Sequence, residues 1–246
     1  MTLLAVRGLA KAYRSPGTAF ALSVRDLALG PGEALAVTGP SGCGKSTLLL
    51  MLGLALPPDA ADSFVFAPRG TQADIPELWR QRKRDALARL RAHAIGIVPQ
   101  TGGLLPWLSI GENIALTQRI AGRRNPELVA HLAADLGIAE QLRKKPAELS
   151  VGQRQRAAIA RALAHRPALV LADEPTAAVH PALADAILAL LLRETRALGA
   201  ALVLATHDPE RARRFGLPIL PCEAIPPGAD GVAHSTFRRP VVAAAA

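Results

Sequence analysis

Apolar positions along the chain fall into two kinds of run, and each predicts a different element. Short, almost unbroken runs occur at residues 3–6 (LLAV), 35–38 (LAVT), 95–98 (IGIV), 168–172 (ALVLA) and 201–205 (ALVLA). Strands buried on both faces read this way, as in a parallel sheet. Residues 20–29 alternate only in part, so the first 34 residues predict two or three short strands separated by the turn signal Ser15-Pro16-Gly17. Longer stretches predict helices at 48–56, 104–121, 126–136 and 157–165, with breaks at Gly122 and Gly137. Residues 181–198 predict the crossover helix that two neighbouring parallel strands require. Asp74-Ile75-Pro76-Glu77 has the form of a helix start, and Leu78, Leu87, Leu90 and Ala94 continue it as one amphipathic helix. Residues 57–70 predict a loop, and five prolines beyond Gly216 predict short strands or a loose tail, with 241–246 disordered.

Composition narrows the class. The 246 residues suffice for one domain with an insertion, and half of them are hydrophobic. No apolar run approaches the ~20 residues of a membrane-spanning helix. The N-terminus shows no secretion signal, and Cys43 and Cys222 alone make no disulfide framework, so the expectation is a soluble, cytosolic protein. A formal charge of +9, with clusters at Arg80, Arg82, Lys83, Arg84, Arg89, Arg91, at Arg211, Arg213, Arg214 and at Arg238, Arg239, invites an anionic partner. Aromatic residues are only 3% of the chain, which leaves few rings for stacking bases. A solvated or membrane-proximal face is the preferred reading, and nucleic acid is not expected.

The chemistry begins where the run at 35–38 ends. Gly39-Pro40-Ser41-Gly42-Cys43-Gly44-Lys45-Ser46 matches the phosphate-cradling pattern G-x-x-x-x-G-K-[ST]. Glycines let backbone N–H groups converge on phosphate oxygens, Lys45 offers a cation to the β- and γ-phosphates, and Ser46 offers a hydroxyl to Mg²⁺. The helix that follows points its N-terminal dipole at the same anion. Tyr13 reads as a core tyrosine or as a ring stacking on adenine from the N-terminal β layer. Gln100 stands at a strand's carboxyl edge, where an amide can contact Mg²⁺ or an attacking water, and Thr101-Gly102-Gly103 would let the backbone move there. Ser150, Gly152 and Gln153 open the 157–165 helix segment as a second anion site. Asp173 and Glu174 end an apolar run, one placed to hold Mg²⁺ and its neighbour, pointing the other way, to polarise a water. His207 ends the next run, within plausible reach of a γ-phosphate.

Taken in order, Gly39 to Thr47, Gln100, Leu149-Ser150-Val151-Gly152-Gln153, Asp173-Glu174 and His207 resemble the nucleotide-binding subunit of an ATP-binding cassette (ABC) transporter over about residues 1–210. The combination of phosphate loop and Ser150-Val151-Gly152-Gln153 separates this family from kinases and GTPases with phosphate loops. The resemblance implies an α/β fold: a P-loop NTPase core with a mixed sheet, an N-terminal antiparallel β layer and an inserted α-helical subdomain at about 101–165. It implies an ATPase domain over 1–215 and leaves 216–246 as a Pro-rich extension. By the same resemblance Tyr13 stacks on adenine, Gln100 is the coupling glutamine, Glu174 the general base and His207 the switch histidine, with ATP and Mg²⁺ bound. It further implies a homodimer working with membrane permease subunits, peripheral to the cytoplasmic face of the membrane. Residues 88–116 are similar to subunits of lipoprotein-releasing and macrolide-exporter systems. The chain departs from the family pattern at Val151, at Ala177-Ala178-Val179-His180, where an acid is usual, and at 57–70. Two other readings remain open: a soluble ABC ATPase acting on nucleic acid, and an ATP-binding scaffold with weak hydrolysis.

Overall fold

A computed structural model describes residues 2–15, 18–177, 179–227 and 232–238. Pro16, Gly17, Ala178, Arg239 and the 241–246 tail of the sequence reading lie outside the described residues. Ten strands form one continuous sheet in the order β5-β4-β1-β2-β10-β9-β3-β8-β7-β6. They are β1 (Leu4–Ser15), β2 (Thr18–Leu29), β3 (Ala34–Thr38), β4 (Ser63–Phe66), β5 (Ala73–Asp74), β6 (Ile95–Val98), β7 (Leu169–Asp173), β8 (Ala201–Thr206), β9 (Ile219–Ile225) and β10 (Val232–Phe237). One half, β9-β3-β8-β7-β6, is parallel; the other is built on the antiparallel pairs β1/β2, β1/β4 and β4/β5.

The apolar runs are explained by a parallel sheet covered on both faces. Leu35 and Val37 of β3, Leu169 and Leu171 of β7, and Ala201, Val203 and Ala205 of β8 pack into one core with α1 (Lys45–Leu52) and the antiparallel layer. Their neighbours Ala36, Val170, Ala172, Leu202 and Leu204 point into a second core on the opposite face. That core is closed by α4 (Ile110–Ile120), α5 (Pro126–Asp135), α6 (Val151–Leu163) and α7 (Pro181–Ala197). With a period of two and both faces dry, polar residues are confined to the strand ends, as at Thr38 and Thr206, and the alternation disappears. The β7–α7–β8 unit supplies the expected crossover.

Several expectations are corrected. The N-terminal strands are long, twelve residues each, not short. Their inward face changes phase midway: Leu4 and Val6 are buried before Gly8 (φ 58°) and Leu9 after it, with Leu27, Val24 and Leu22 changing in step on β2. Residues 63–66, expected as loop, are β4, which buries Phe64 and Phe66 while pairing with β1. The first helix begins at Lys45 and ends at Leu52, not 56, because Leu54 (φ 57°) turns into the core and Arg91 donates to its carbonyl at 2.7 Å. Asp74 does cap a helix, accepting from the Glu77 N–H, but Arg82 (φ 54°) divides the segment into α2 (Ile75–Arg80) and α3 (Arg84–Ala94). Residues 104–109 are not helical: the buried Asn113 amide bonds the backbone of Leu105, Leu108 and Ser109, and Ser109 with Glu112 forms a capping box that starts α4. Beyond α8 (Pro209–Arg214), residues 219–225 and 232–237 enter the sheet, β9 pairing with β3 and β10 with β2. Among the described residues no helix is long and apolar enough to cross a membrane.

Candidate functional site

The carboxyl ends of β3, β8, β7 and β6 share one edge, with Thr38 opposite Thr206, Asp173 opposite Ala205 and Val98 opposite Ala172. Ligands of open parallel sheets sit outside such an edge. Residues 39–44 leave β3 there and lead straight into α1. Gly44, the N-cap, has φ 93°, and no side chain caps the helix. Its first-turn N–H groups are therefore left for a ligand or water. Gly44 is required twice, by its left-handed backbone and by packing, since a Cβ would stand 2.5 Å from Leu22 Cδ1 and 3.0 Å from the Phe20 ring. Gly42 (φ 80°) faces open space instead.

Lys45 is buried, and its ammonium is held at the loop. Nζ donates to the carbonyls of Gly39 (2.9 Å) and Pro40 (3.0 Å) and lies 3.4 Å from Glu174 Oε1. The other carboxylate oxygen, Glu174 Oε2, accepts from His207 Nδ1 at 3.0 Å. One chain of contacts, Lys45–Glu174–His207, thus joins the loops after β3, β7 and β8. Strict alternation would turn Glu174 to the face opposite Asp173. Its φ of 43° ends the alternation, at a cost of order 1–3 kcal/mol, and brings the carboxylate round to Lys45. Asp173 lies on the face shared with Leu169 and Leu171, the side on which α1 packs, and Ser46 is exposed on the first turn of that helix.

A nucleotide fits what is present: an uncapped helix start whose first-turn amides have no side-chain cap, open space at Gly42 and a desolvated cation. For Mg²⁺, Ser46 and Asp173 supply one hydroxyl and one carboxylate, the sparse protein donor set of a cation that keeps water and phosphate oxygens as its other ligands. Tyr13 pairs with Phe20 across β1 and β2, so both rings lie on the face that meets Gly44. Its ring is 42% exposed, with Lys11 Nζ 5.9 Å from the centroid.

Other predicted residues stand apart from this chain of contacts. Gln100 is exposed on the turn after β6. Arg161 of α6 reaches that turn and donates to the carbonyls of Gly103 (2.7 Å) and Gly102 (2.9 Å). Ser150 caps α6 in a reciprocal box: its Oγ accepts from the Gln153 N–H, and Gln153 Oε1 accepts from the Ser150 N–H. Gly152 has a packing reason as well, since a Cβ would stand 2.5 Å from Leu183 Cδ2. Val151 is exposed, and His180 caps α7 by accepting from the Ala182 N–H. Arg161 and Phe20 were not anticipated. The signal for Arg161 was a cation inside the alanine-rich run after Ala157; Phe20 carried none. The basic cluster at 211–214 is largely paired, Arg211 with Asp185 and Asp208, Arg213 with Glu210 and Arg214 with Asp185.

Known proteins resemble this chain in sequence and fold. The ABC transporter family profile matches residues 22–177. The lipoprotein-releasing system ATP-binding protein LolD 1 of Rhodospirillum rubrum is 43% identical over 197 residues, covering 79% of this chain and 83% of the relative. LolD 2 of Caulobacter vibrioides is 41% identical over 215 residues, covering 86% and 90%. Among solved structures, a dimeric ATP-binding cassette in a post-hydrolysis state with ADP and Pi superposes with a TM-score of 0.74 at 28% identity, over 93% of this chain and 95% of that one.

Proposed function

We propose, from the premise that this chain belongs to the ABC transporter family as an ATP-binding, ATP-hydrolysing subunit, that two copies close head to tail over ATP and drive a separate membrane permease. The observation that carries the reading is the convergence of three strand-end loops on the buried Lys45 ammonium, with Glu174 touching both Lys45 and His207. Lys45 and the amides of residues 41–46 hold and orient the phosphates. Glu174 takes the proton of an attacking water, and His207, bonded to that carboxylate, positions it. Ser46 and Asp173 would hold Mg²⁺, with Gln100 as the further contact the family resemblance implies, and the ion would neutralise charge on the phosphates. Tyr13 stacks on the adenine.

The exposed helix end at Ser150, with Gly152 and Gln153, belongs to the same site only if a second protomer brings it there. A two-fold pairing supplies it twice, since one chain carries both halves. The relatives are named for lipoprotein release, and that system is the transport class proposed for this chain, acting from the cytoplasmic side of the membrane. The helical segment 101–165 then forms the part of the ATPase domain that leans on the permease, and no nucleic acid is involved.

Glu174→Gln tests the assignment. Loss of a general base lowers turnover by about 10²–10⁴-fold, while ATP binding persists and the variant accumulates as an ATP-bound dimer in light scattering. Turnover within about threefold of the unmodified protein removes Glu174 from the base role, and a strictly monomeric variant at saturating ATP overturns the dimer.

A further inference from the structure

ATP chemistry makes no use of Cys222, yet its side chain lies against the phosphate loop. Cys222 sits on β9, which pairs with β3 through Pro221 opposite Thr38, at the point where the loop departs. Its Sγ lies 3.5 Å from the Cys43 carbonyl oxygen. The Cβ that Gly39 lacks would stand 2.7 Å from Cys222 Cβ and 2.7 Å from Cys43 Sγ, so those two atoms are neighbours across a gap only a glycine leaves open. Both cysteines are free; Cys43 is buried and Cys222 half-buried. Two thiols from segments 179 residues apart therefore meet inside the cradle, and the site already described does not require the second.

We propose that Cys43 and Cys222 form a modification site for peroxide-class oxidants, closing to a disulfide that ties the phosphate loop to β9 and weakens ATP binding. This rests on residues 39–46 being the ATP cradle. The environment separates the roles of the two sulfurs. A hydrogen bond from Cys222 and the nearby Lys45 charge lower the Cys43 thiol to about pKa 7, so at neutral pH much of it is thiolate. Cys222 is pushed up by the same contact and by burial, and stays a thiol.

The chemistry balances with hydrogen peroxide alone. The Cys43 thiolate attacks one peroxide oxygen and the O–O bond breaks. Sulfur becomes a sulfenic acid, and the departing hydroxide takes a proton to leave as water. Cys222 sulfur then attacks the Cys43 sulfur, the S–O bond breaks, and the thiol proton leaves with the hydroxyl as a second water. The two thiols lose two electrons and two protons, and the peroxide takes up both. Disulfide geometry requires the Cβ atoms to stand about 3.5–4.5 Å apart, so closure fixes the middle of the loop to a strand. The amides of 41–44 can then no longer adjust around phosphate.

The test uses the purified full-length chain, reduced or treated with hydrogen peroxide and desalted. After peroxide, intact mass falls by two hydrogens, and a non-reducing digest yields one peptide joining the Cys43 and Cys222 segments. Affinity for a fluorescent ATP analogue weakens about tenfold or more, equal to 1.4 kcal/mol, and dithiothreitol restores it. Cys222→Ser and Cys222→Ala bind the analogue normally when reduced. On peroxide they yield a dimedone-reactive Cys43 in place of the joined peptide. Absence of the joined peptide after peroxide, in a protein that binds ATP normally when reduced, overturns the pairing and leaves the cradle standing. A joined peptide with unchanged affinity overturns the effect on binding. Failure of the reduced protein to bind ATP overturns the cradle itself, and the proposal with it.

Discussion

Replacing Arg161 measures how firmly the turn carrying Gln100 is held. Its guanidinium donates to the carbonyls of Gly102 and Gly103 at 2.9 and 2.7 Å. Charge-assisted bonds of this kind contribute about 1.5–3 kcal/mol each. Burial pulls the guanidinium below its ordinary pKa, so desolvation offsets part of that gain. A net contribution of about 3 kcal/mol remains, and for a domain of this size each kcal/mol moves the melting temperature by about 2–4 °C. Arg161→Met is therefore expected to melt about 6–12 °C lower, and Arg161→Lys, which reaches one carbonyl, about half as far down. Nucleotide-free thermal unfolding gives the shift. Hydrogen exchange at the Gly102 amide, which donates to the Pro99 carbonyl at 3.0 Å, locates it. If Arg161→Met melts within about 2 °C of the parent, or exchange at residues 100–103 is unaltered, the turn is held by something else and the clamp argument is wrong.

Lys45→Ala removes the cradle's cation and leaves Glu174 facing loop carbonyls; nucleotide affinity should fall by about 10–100-fold, or 1.4–2.8 kcal/mol, in equilibrium titration. Unchanged affinity would contradict the assignment of the loop. His165 predicts a pH dependence. It is buried, bonded to the Ile95 carbonyl, and burial, with a smaller contribution from the positive charges of Arg123 and Arg69, lowers its pKa to about 4. The unfolded chain therefore binds more protons between about pH 6.5 and 4. Stability should fall through that window as pH drops, by up to about 3 kcal/mol. His165→Gln should flatten this part of the profile in denaturant titrations; an equally steep fall in the variant would assign the dependence to other groups.

How much of this was legible follows from what each segment packs against. The runs at 35–38, 168–172 and 201–205 declared buried parallel strands because both their faces are dry, and the phosphate loop was readable because Gly42 and Gly44 answer to left-handed backbone geometry, a local demand, whatever Gly44 also meets on Leu22 and Phe20. The N-terminal strands were cut short because inward positions change parity at Gly8, which destroys the alternation a local reading depends on. β4 was missed because four residues flanked by turn formers look like loop until β1 is there to pair with them. The early ends of α1 and α2 are set by Leu54 and Arg82 in left-handed conformations that no preference of leucine or arginine announces. The Lys45–Glu174–His207 contacts were readable only as three separate strand ends, since their meeting depends on strand order.

The helix start at Ser150 shows a different limit. Serine and glutamine there close a capping box, and glycine makes room for Leu183, so one protomer already accounts for all three residues. Those local reasons do not compete with a role in nucleotide binding. A cap that fixes the helix terminus holds Ser150 exposed at its tip, and the cleared space at Gly152 lets α7 support it from behind. The same letters can thus serve the folded protomer and a partner's nucleotide at once. Separating the two calls for a substitution that keeps the cap and alters only the outward surface. Val151, exposed between Ser150 and Gly152, is that position. Val151→Glu leaves the box intact and should leave monomer stability within about 0.5 kcal/mol, while a like charge set against the phosphates of a partner's ATP should lower ATP-dependent dimer formation. Dimerisation at unchanged ATP concentration would place the α6 tip away from the nucleotide.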